Sequence, residues 1–206
     1  MIDFAHLAAY LAAATLLTIT PGVDTAMVLR AATAEGRRAG LLAALGINLG
    51  CLIWGAAVAL GLGAVLAAST LAFTAVRLAG AAYLVWLGIG LLRHPRSALA
   101  QSVADSGRRS AFWRGLLTNL LNPKIGVFYI SFLPQFVPAG APVAATTFLL
   151  AVLHGVLGLI WFAILIAATV PLGRLLRQPR TLRLLDRLTG AVFVGFGVKL
   201  AVSSAR

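Results

Sequence analysis

The sequence predicts an all-α membrane protein: six transmembrane helices arranged as two inverted three-helix repeats, with helices 1 and 4 interrupted at Pro21-Gly22 and Asn122-Pro123. Three observations predict it. The chain is 61% hydrophobic and only 11% charged, and apolar runs of about 20 residues, the length that crosses a bilayer, recur from end to end. The basic residues gather in alternate loops. A proline breaks the leading apolar run of each half.

The first span, from residue 4 to about 30, contains Thr20-Pro21-Gly22-Val23-Asp24. Pro21 has no N–H to give and its ring clashes with the preceding turn, so backbone groups are freed. In lipid, those groups must find partners inside the protein or in a water-lined cavity. Asp24 at mid-membrane depth costs roughly 2.5–3.5 kcal/mol on insertion scales. A kinked helix whose aspartate reaches an interface explains this stretch in structural terms alone. A broken helix forming a substrate or proton site explains it in functional terms.

A loop at 33–40 follows, with Glu35, Arg37 and Arg38, and then a second span at 41–67. Gly46, Gly50 and Trp54 share one helical face there, and Asn48 lies on another. Small residues four apart let helix backbones approach closely. Ser69-Thr70 forms a tight uncharged turn into a third span at 71–92. Arg77 near its start is expected to snorkel, and Tyr83 and Trp86 suit an interfacial belt.

The longest loop, 93–114, carries Arg93, Arg96, Arg108, Arg109 and Arg114 against Asp105. The fourth span, 115–136, is interrupted at Asn122-Pro123-Lys124 and closed by Pro134. The neutral loop 137–143 leads to a fifth span at 144–170, which contains His154 and is ended by Pro171. A basic loop at 173–187 precedes a short last span at 188–202, which ends near Lys199. Loops one, three and five are basic, and loops two and four carry no Lys or Arg. The positive-inside rule then puts the odd loops in the cytoplasm and both termini outside.

The same distribution argues against nucleic acid as a partner, although the net charge is +12. The chain opens with Asp3 and His6 and no basic segment, so a cleavable signal is not expected. Cys51 is the single cysteine, so an internal disulfide and paired-thiol redox chemistry are excluded. The chain reads as one domain, 1–206, with halves at about 1–92 and 115–206 joined by a basic cytoplasmic loop, 93–114. Three spans per half force the second half to insert inverted. Interrupted leading helices in inverted halves point to a transport site at the bilayer midplane.

These residues also carry a resemblance. Thr20-Pro21-Gly22-Val23-Asp24, Gly46-Ile47-Asn48-Leu49-Gly50, Gly80-Ala81-Ala82-Tyr83-Leu84, Thr118-Asn119-Leu120-Leu121-Asn122-Pro123-Lys124 and Phe132-Leu133-Pro134-Gln135-Phe136 occur in this order. The ordered set resembles the LysE/RhtB family of amino-acid exporters over nearly the whole chain. Val23 departs from the family pattern, which has a second proline there, so a softer break is expected. The resemblance implies efflux of an amino acid or a small derivative across a bacterial inner membrane, driven by the proton gradient. It implies no cofactor.

Five residues are the substrate and proton candidates. Asp24 could exchange protons or pair with a substrate ammonium, and a structural alternative is an ion pair with Lys124. Lys124 could meet a substrate carboxylate, helped by the positive helix ends that follow Pro21 and Pro123. Asn122 and Asn48 serve as ligands or as interhelical glue. His154 is a proton relay or a packing histidine. Gln135 is expected at the outer interface. One proton moving down about 100 mV supplies about 2.3 kcal/mol, and tenfold accumulation costs about 1.4 kcal/mol, so one proton per cargo suffices.

Rival readings make distinct demands. A metal exporter would want more ligands in the spans than Cys51, His154 and Asp24. A membrane enzyme or redox carrier would need a carboxylate-, histidine- or cysteine-rich constellation, and none is present. A passive channel would move its solute without protons. A homodimer is compatible with the small residues of spans two and three, as is internal packing.

Overall fold

The computed structural model describes residues 4–68, 70–95, 110–138, 140–168, 175 and 178–202. The described residues are helical and contain no strand. Helix α1 (Phe4–Ile19) ends at the first proline, and α2 (Val23–Ala34) restarts at an angle of 53°. Pro21 and Gly22 lie between them, with Gly22 in an extended conformation at the N-cap of α2. Val23 opens α2, so the break forms without a second proline.

Helix α3 (Arg37–Ala68) and helix α4 (Thr70–Arg93) complete the first half. The second half begins with α5 (Ala111–Leu120) and α6 (Pro123–Val127), continued by a π turn (Phe128–Phe132) and a 3-10 turn (Leu133–Phe136). Residues 124–136 run at 57° to α5. Asn122 caps α6 by accepting the Lys124 N–H at 3.1 Å, and Pro123 takes the first helical position, where its missing N–H costs nothing. Helices α7 (Val143–Ala167) and α8 (Pro179–Val202) follow.

Residues Arg37–Gly61 and Val143–Ala167 are each long and apolar enough to cross a membrane. Counting each bent pair as one span raises the number from two to four.

Three expectations need correction. Loop one shrinks to Glu35 and Gly36, because helix continues to Ala34 and resumes at Arg37. Gly36, with φ +94°, makes so short a link possible. The last helix is not short: it starts at Pro179 and runs 24 residues, taking in part of the expected fifth loop. Arg114 likewise lies on α5 rather than in loop three, and it pairs with Glu35 at the end of α2. The cause is common to the last two: arginine and leucine are good helix formers, so a helix runs on past its apolar part. Ser69 and residues 96–109, 139 and 169–174 of the expected connections lie outside the described residues, as do the side chains of Arg77, Tyr83 and Lys199.

Helix α3 is the hub, packing on α5, α7 and α2, while α4 packs mainly on α8. Glycine sets these distances. A Cβ on Gly46 would strike the Phe112 carbonyl, and one on Gly115 would strike the Ala43 carbonyl. On the other pair, a Cβ on Gly88 would come within 2.7 Å of the Gly190 oxygen, and the reverse also holds. The face of Gly46, Gly50 and Trp54 is the one turned to α5 and α6, since Gly50 abuts Asn119 and Trp54 abuts Gly126.

Two apolar clusters form the core. One joins Tyr10, Phe128, Tyr129, Phe132 and Leu150, tied by a 2.6 Å bond from the Tyr10 hydroxyl to the Leu150 carbonyl. The other joins Met27, Val28, Ile47, Phe162 and Leu165. The helix breaks fall between the clusters.

Candidate functional site

The two breaks meet. Pro21 cannot donate to the carbonyl four residues back, that of Leu17. Lys124, from the break in the other half, supplies the missing donor: its Nζ bonds the Leu17 oxygen at 2.9 Å and the Thr20 oxygen at 2.8 Å. A cation at the C-terminal end of α1 also suits the negative pole of that helix. The freed backbone groups are thus satisfied within the protein, as an apolar surrounding requires. Thr20 ties in a third element, its hydroxyl lying 2.6 Å from that of Thr189 on α8.

Asp24 sits in the first turn of α2, where the helix N-terminus favours an anion. It is 9% exposed. Its Oδ2 accepts the Asn119 amide at 2.8 Å, and its Oδ1 receives no hydrogen bond of ordinary geometry. The Asn122 side chain and, less strongly, the charge of Lys124 also act on the carboxylate. The same Asn119 amide reaches Cys51 Sγ at 3.4 Å.

A cavity of about 50 Å3 opens at this point, lined by Asp24, Lys124, Asn122, Asn48 and His154 together with Gly22. That is room for a few waters. All five residues singled out in the sequence therefore border one space. They differ in how far they are already engaged. Asn122 spends its oxygen on the α6 cap. His154 is buried and shares a 2.9 Å hydrogen bond between its Nδ1 and the Tyr129 hydroxyl. Asn48 Oδ1 is buried and accepts no hydrogen bond. Gln135 folds back, its amide on the Ser131 carbonyl at 2.8 Å.

Sequence reasoning missed Asn119 and Thr189. Asn119 belongs to a motif quoted for the resemblance, yet nothing local marks either residue as a partner of the first break. The available signal for Asn119 was its position one turn before Pro123, on the side facing Gly50. Among the described residues, no group of three or more His, Cys, Asp or Glu side chains is placed to hold a metal ion.

The order of motifs finds its counterpart in known proteins. Residues 15–204 match the family described as LysE type translocator. The chain belongs to the LysE family. It is 31% identical to the threonine efflux protein of Escherichia coli K12, over 90% of this chain and 92% of that protein. It is 30% identical to the homoserine/homoserine lactone efflux protein of Salmonella typhimurium, over 94% of each chain. An uncharacterized membrane protein of Bacillus subtilis, YrhP, is 30% identical over 96% of this chain and 99% of its own length. No solved structure matches. Within this LysE family member, the breaks of the two interrupted helices adjoin one cavity, and charged residues of both line it.

Proposed function

We propose that this LysE family member is a secondary transporter that exports an amino acid or small amino-acid derivative from the cytoplasm across a bacterial inner membrane, in exchange for protons. One observation carries the reading. A buried carboxylate, one oxygen of which lacks a hydrogen bond of ordinary geometry, lines the same cavity as a lysine from the opposite helix break. A zwitterion needs that pair of charges: Asp24 Oδ1 would take its ammonium, and Lys124 would take its carboxylate.

Exchange follows from exclusivity. Asp24 cannot hold a proton and a substrate ammonium at once, so each would displace the other. Alternation follows from the two apolar clusters, which would part in turn on either side of the cavity. The names of the threonine and homoserine relatives support export of a small amino acid.

In this reading the six spans are α1–α2, α3, α4, α5 with its continuation, α7 and α8. Helices α4 and α8 have 24 residues each, about 36 Å of helix, which exceeds the roughly 30 Å of bilayer hydrocarbon. The halves would be inverted repeats, with the basic connections cytoplasmic and both termini outside.

Efflux from preloaded proteoliposomes, with and without an imposed proton gradient, tests the function across a panel of amino acids. Gradient-driven export in the wild type is expected to vanish in Asp24→Asn, which keeps the shape of the side chain. Undiminished coupling in the mutant would move the proton site elsewhere, with His154 next. A correctly folded wild type that moves no amino acid would overturn the cargo.

A further inference from the structure

Two glycines of α7, Gly155 and Gly158, line the cavity one turn apart, and they have different surroundings. A Cβ on Gly155 would lie 2.5 Å from Asn48 Oδ1, so that glycine makes room for a neighbour. A Cβ on Gly158 would meet no atom within 4 Å. Nothing in the packing requires glycine there. Its effect is to leave a gap in the cavity wall.

The surroundings of that gap have a definite chemistry. His154 stands one turn before Gly158 on the same face, towards the charged end with Lys124, whose charge reaches it. Phe162 stands one turn after, and with Leu159 and Ile47 it makes the other end apolar. From His154 to Phe162 is about 12 Å along the helix, so the lining passes from polar to apolar across Gly158. Of the titratable side chains in the lining, Asp24 is acidic and Lys124 basic, and His154 spends its Nδ1 on the Tyr129 hydroxyl. A zwitterionic head group matches the first two. A charged side chain on the cargo would lie against Leu159, Phe162 and Ile47, which offer it no partner, and burying an uncompensated charge is costly. The Oδ1 of buried Asp24, which has no hydrogen bond of ordinary geometry, is the independent mark that a donor is wanted beside this space.

We infer that the cargo is an amino acid with an uncharged side chain, and that Gly158 sets the size of side chain admitted, over a wall made by Leu159, Phe162 and Ile47. This rests on the reading of the site as an amino-acid exporter. One methylene more or less in an apolar pocket changes discrimination by about 10- to 200-fold. Gly158→Ala adds carbon to the gap with no atom within 4 Å of it beyond its own chain neighbours, and Leu159→Ala removes carbon from the apolar wall.

The experiment measures initial rates of export of alanine, threonine, leucine, lysine and glutamate from proteoliposomes of the wild type and both variants. The wild type is expected to export uncharged amino acids in preference to lysine and glutamate. Gly158→Ala is expected to lower the leucine-to-alanine rate ratio by about tenfold or more, and Leu159→Ala to raise it. Should Gly158→Ala fail to fold, that contradicts the open space at its Cβ and overturns the role assigned to it; the Leu159→Ala ratio then still tests the wall. Equal loss of all cargoes, or an unchanged ratio in both variants, overturns the size filter. Export of lysine or glutamate alone refutes the uncharged cargo while leaving amino-acid export standing. A wild type that moves none of the five refutes both readings together.

Discussion

Single residues at the breaks carry the argument for a transport site, and Lys124 carries most of it. Its ammonium occupies two carbonyls at the broken end of α1, that of Leu17, which Pro21 cannot serve, and that of Thr20. Lys124→Met keeps the length of the stem and removes both bonds. Hydrogen bonds from a charged donor are each worth roughly 1.5–3 kcal/mol, so the end of α1 should loosen. Hydrogen exchange measured by mass spectrometry should rise in residues 16–26 and stay unchanged in α4 and α8. Unchanged exchange at the break would mean that water or lipid serves those carbonyls as well as Lys124 does. The glycines of α7 give a second contrast at this scale. Gly155→Ala pushes a methyl against Asn48 and should destabilise by about 1–3 kcal/mol, the usual cost of overpacking. A thermal unfolding scan in detergent measures it, with Gly158→Ala as the unstrained control. Of the five candidates, all were legible in the sequence, because a polar side chain inside an apolar run is conspicuous without any structure. Asn119 was not, since its importance comes from Asp24, 95 residues away.

Elements join through glycine. The α3–α5 crossing depends on Gly46 and Gly115, where a Cβ would meet backbone carbonyls that side-chain adjustment cannot move. Gly46→Ala and Gly115→Ala should therefore each cost at least the 1–3 kcal/mol of core overpacking. Gly61 and Gly90 have no atom within 4 Å of an added Cβ, and alanine at either should be neutral or stabilise by up to about 1 kcal/mol through helix propensity. Urea or thermal midpoints of the four variants separate the two groups. If all four behaved alike, the close crossings would not be what the glycines serve. Much of the element layout was legible beforehand. Proline chemistry located both breaks, and apolar length located the helices. The ends of helices were less so. Arg114 and the start of α8 are helical because the helix continues beyond its apolar portion, and hydropathy registers only the apolar portion.

For the whole molecule, the proposed function makes a claim about orientation. Arg38 is exposed at the start of α3, and Ala144 is exposed at the start of α7. With basic connections in the cytoplasm, Arg38→Cys should react with a membrane-impermeant maleimide only after the cells are permeabilised, and Ala144→Cys should react in intact cells. The native Cys51 is buried and should stay unlabelled in both. The reverse pattern would invert the protein and turn the proposed direction of transport around. Glu35 and Arg114 pair across the halves at the connection expected to be cytoplasmic. Glu35 is 46% exposed, so Glu35→Gln should cost no more than about 1 kcal/mol in stability. A larger drop in the unfolding midpoint would give that pair a structural weight that its exposure argues against.

The sequence by itself determined the class of protein, the order of its helices and the location of both breaks. Each of these is a local property: apolar length answers to bilayer thickness, and a proline disrupts its own turn wherever the chain goes. It also supplied the ordered motifs by which the chain joins the LysE family. Only the tertiary structure decided what the polar residues do with one another. Lys124 reaches a carbonyl 107 residues distant, the Asn122 oxygen is committed to a helix cap, Asp24 keeps one oxygen without a regular hydrogen bond, and of two neighbouring glycines one is packed and one is not. Those outcomes depend on which helix faces which. That is set by the packing of α3 against α5 and α7, and no stretch of sequence taken alone contains it.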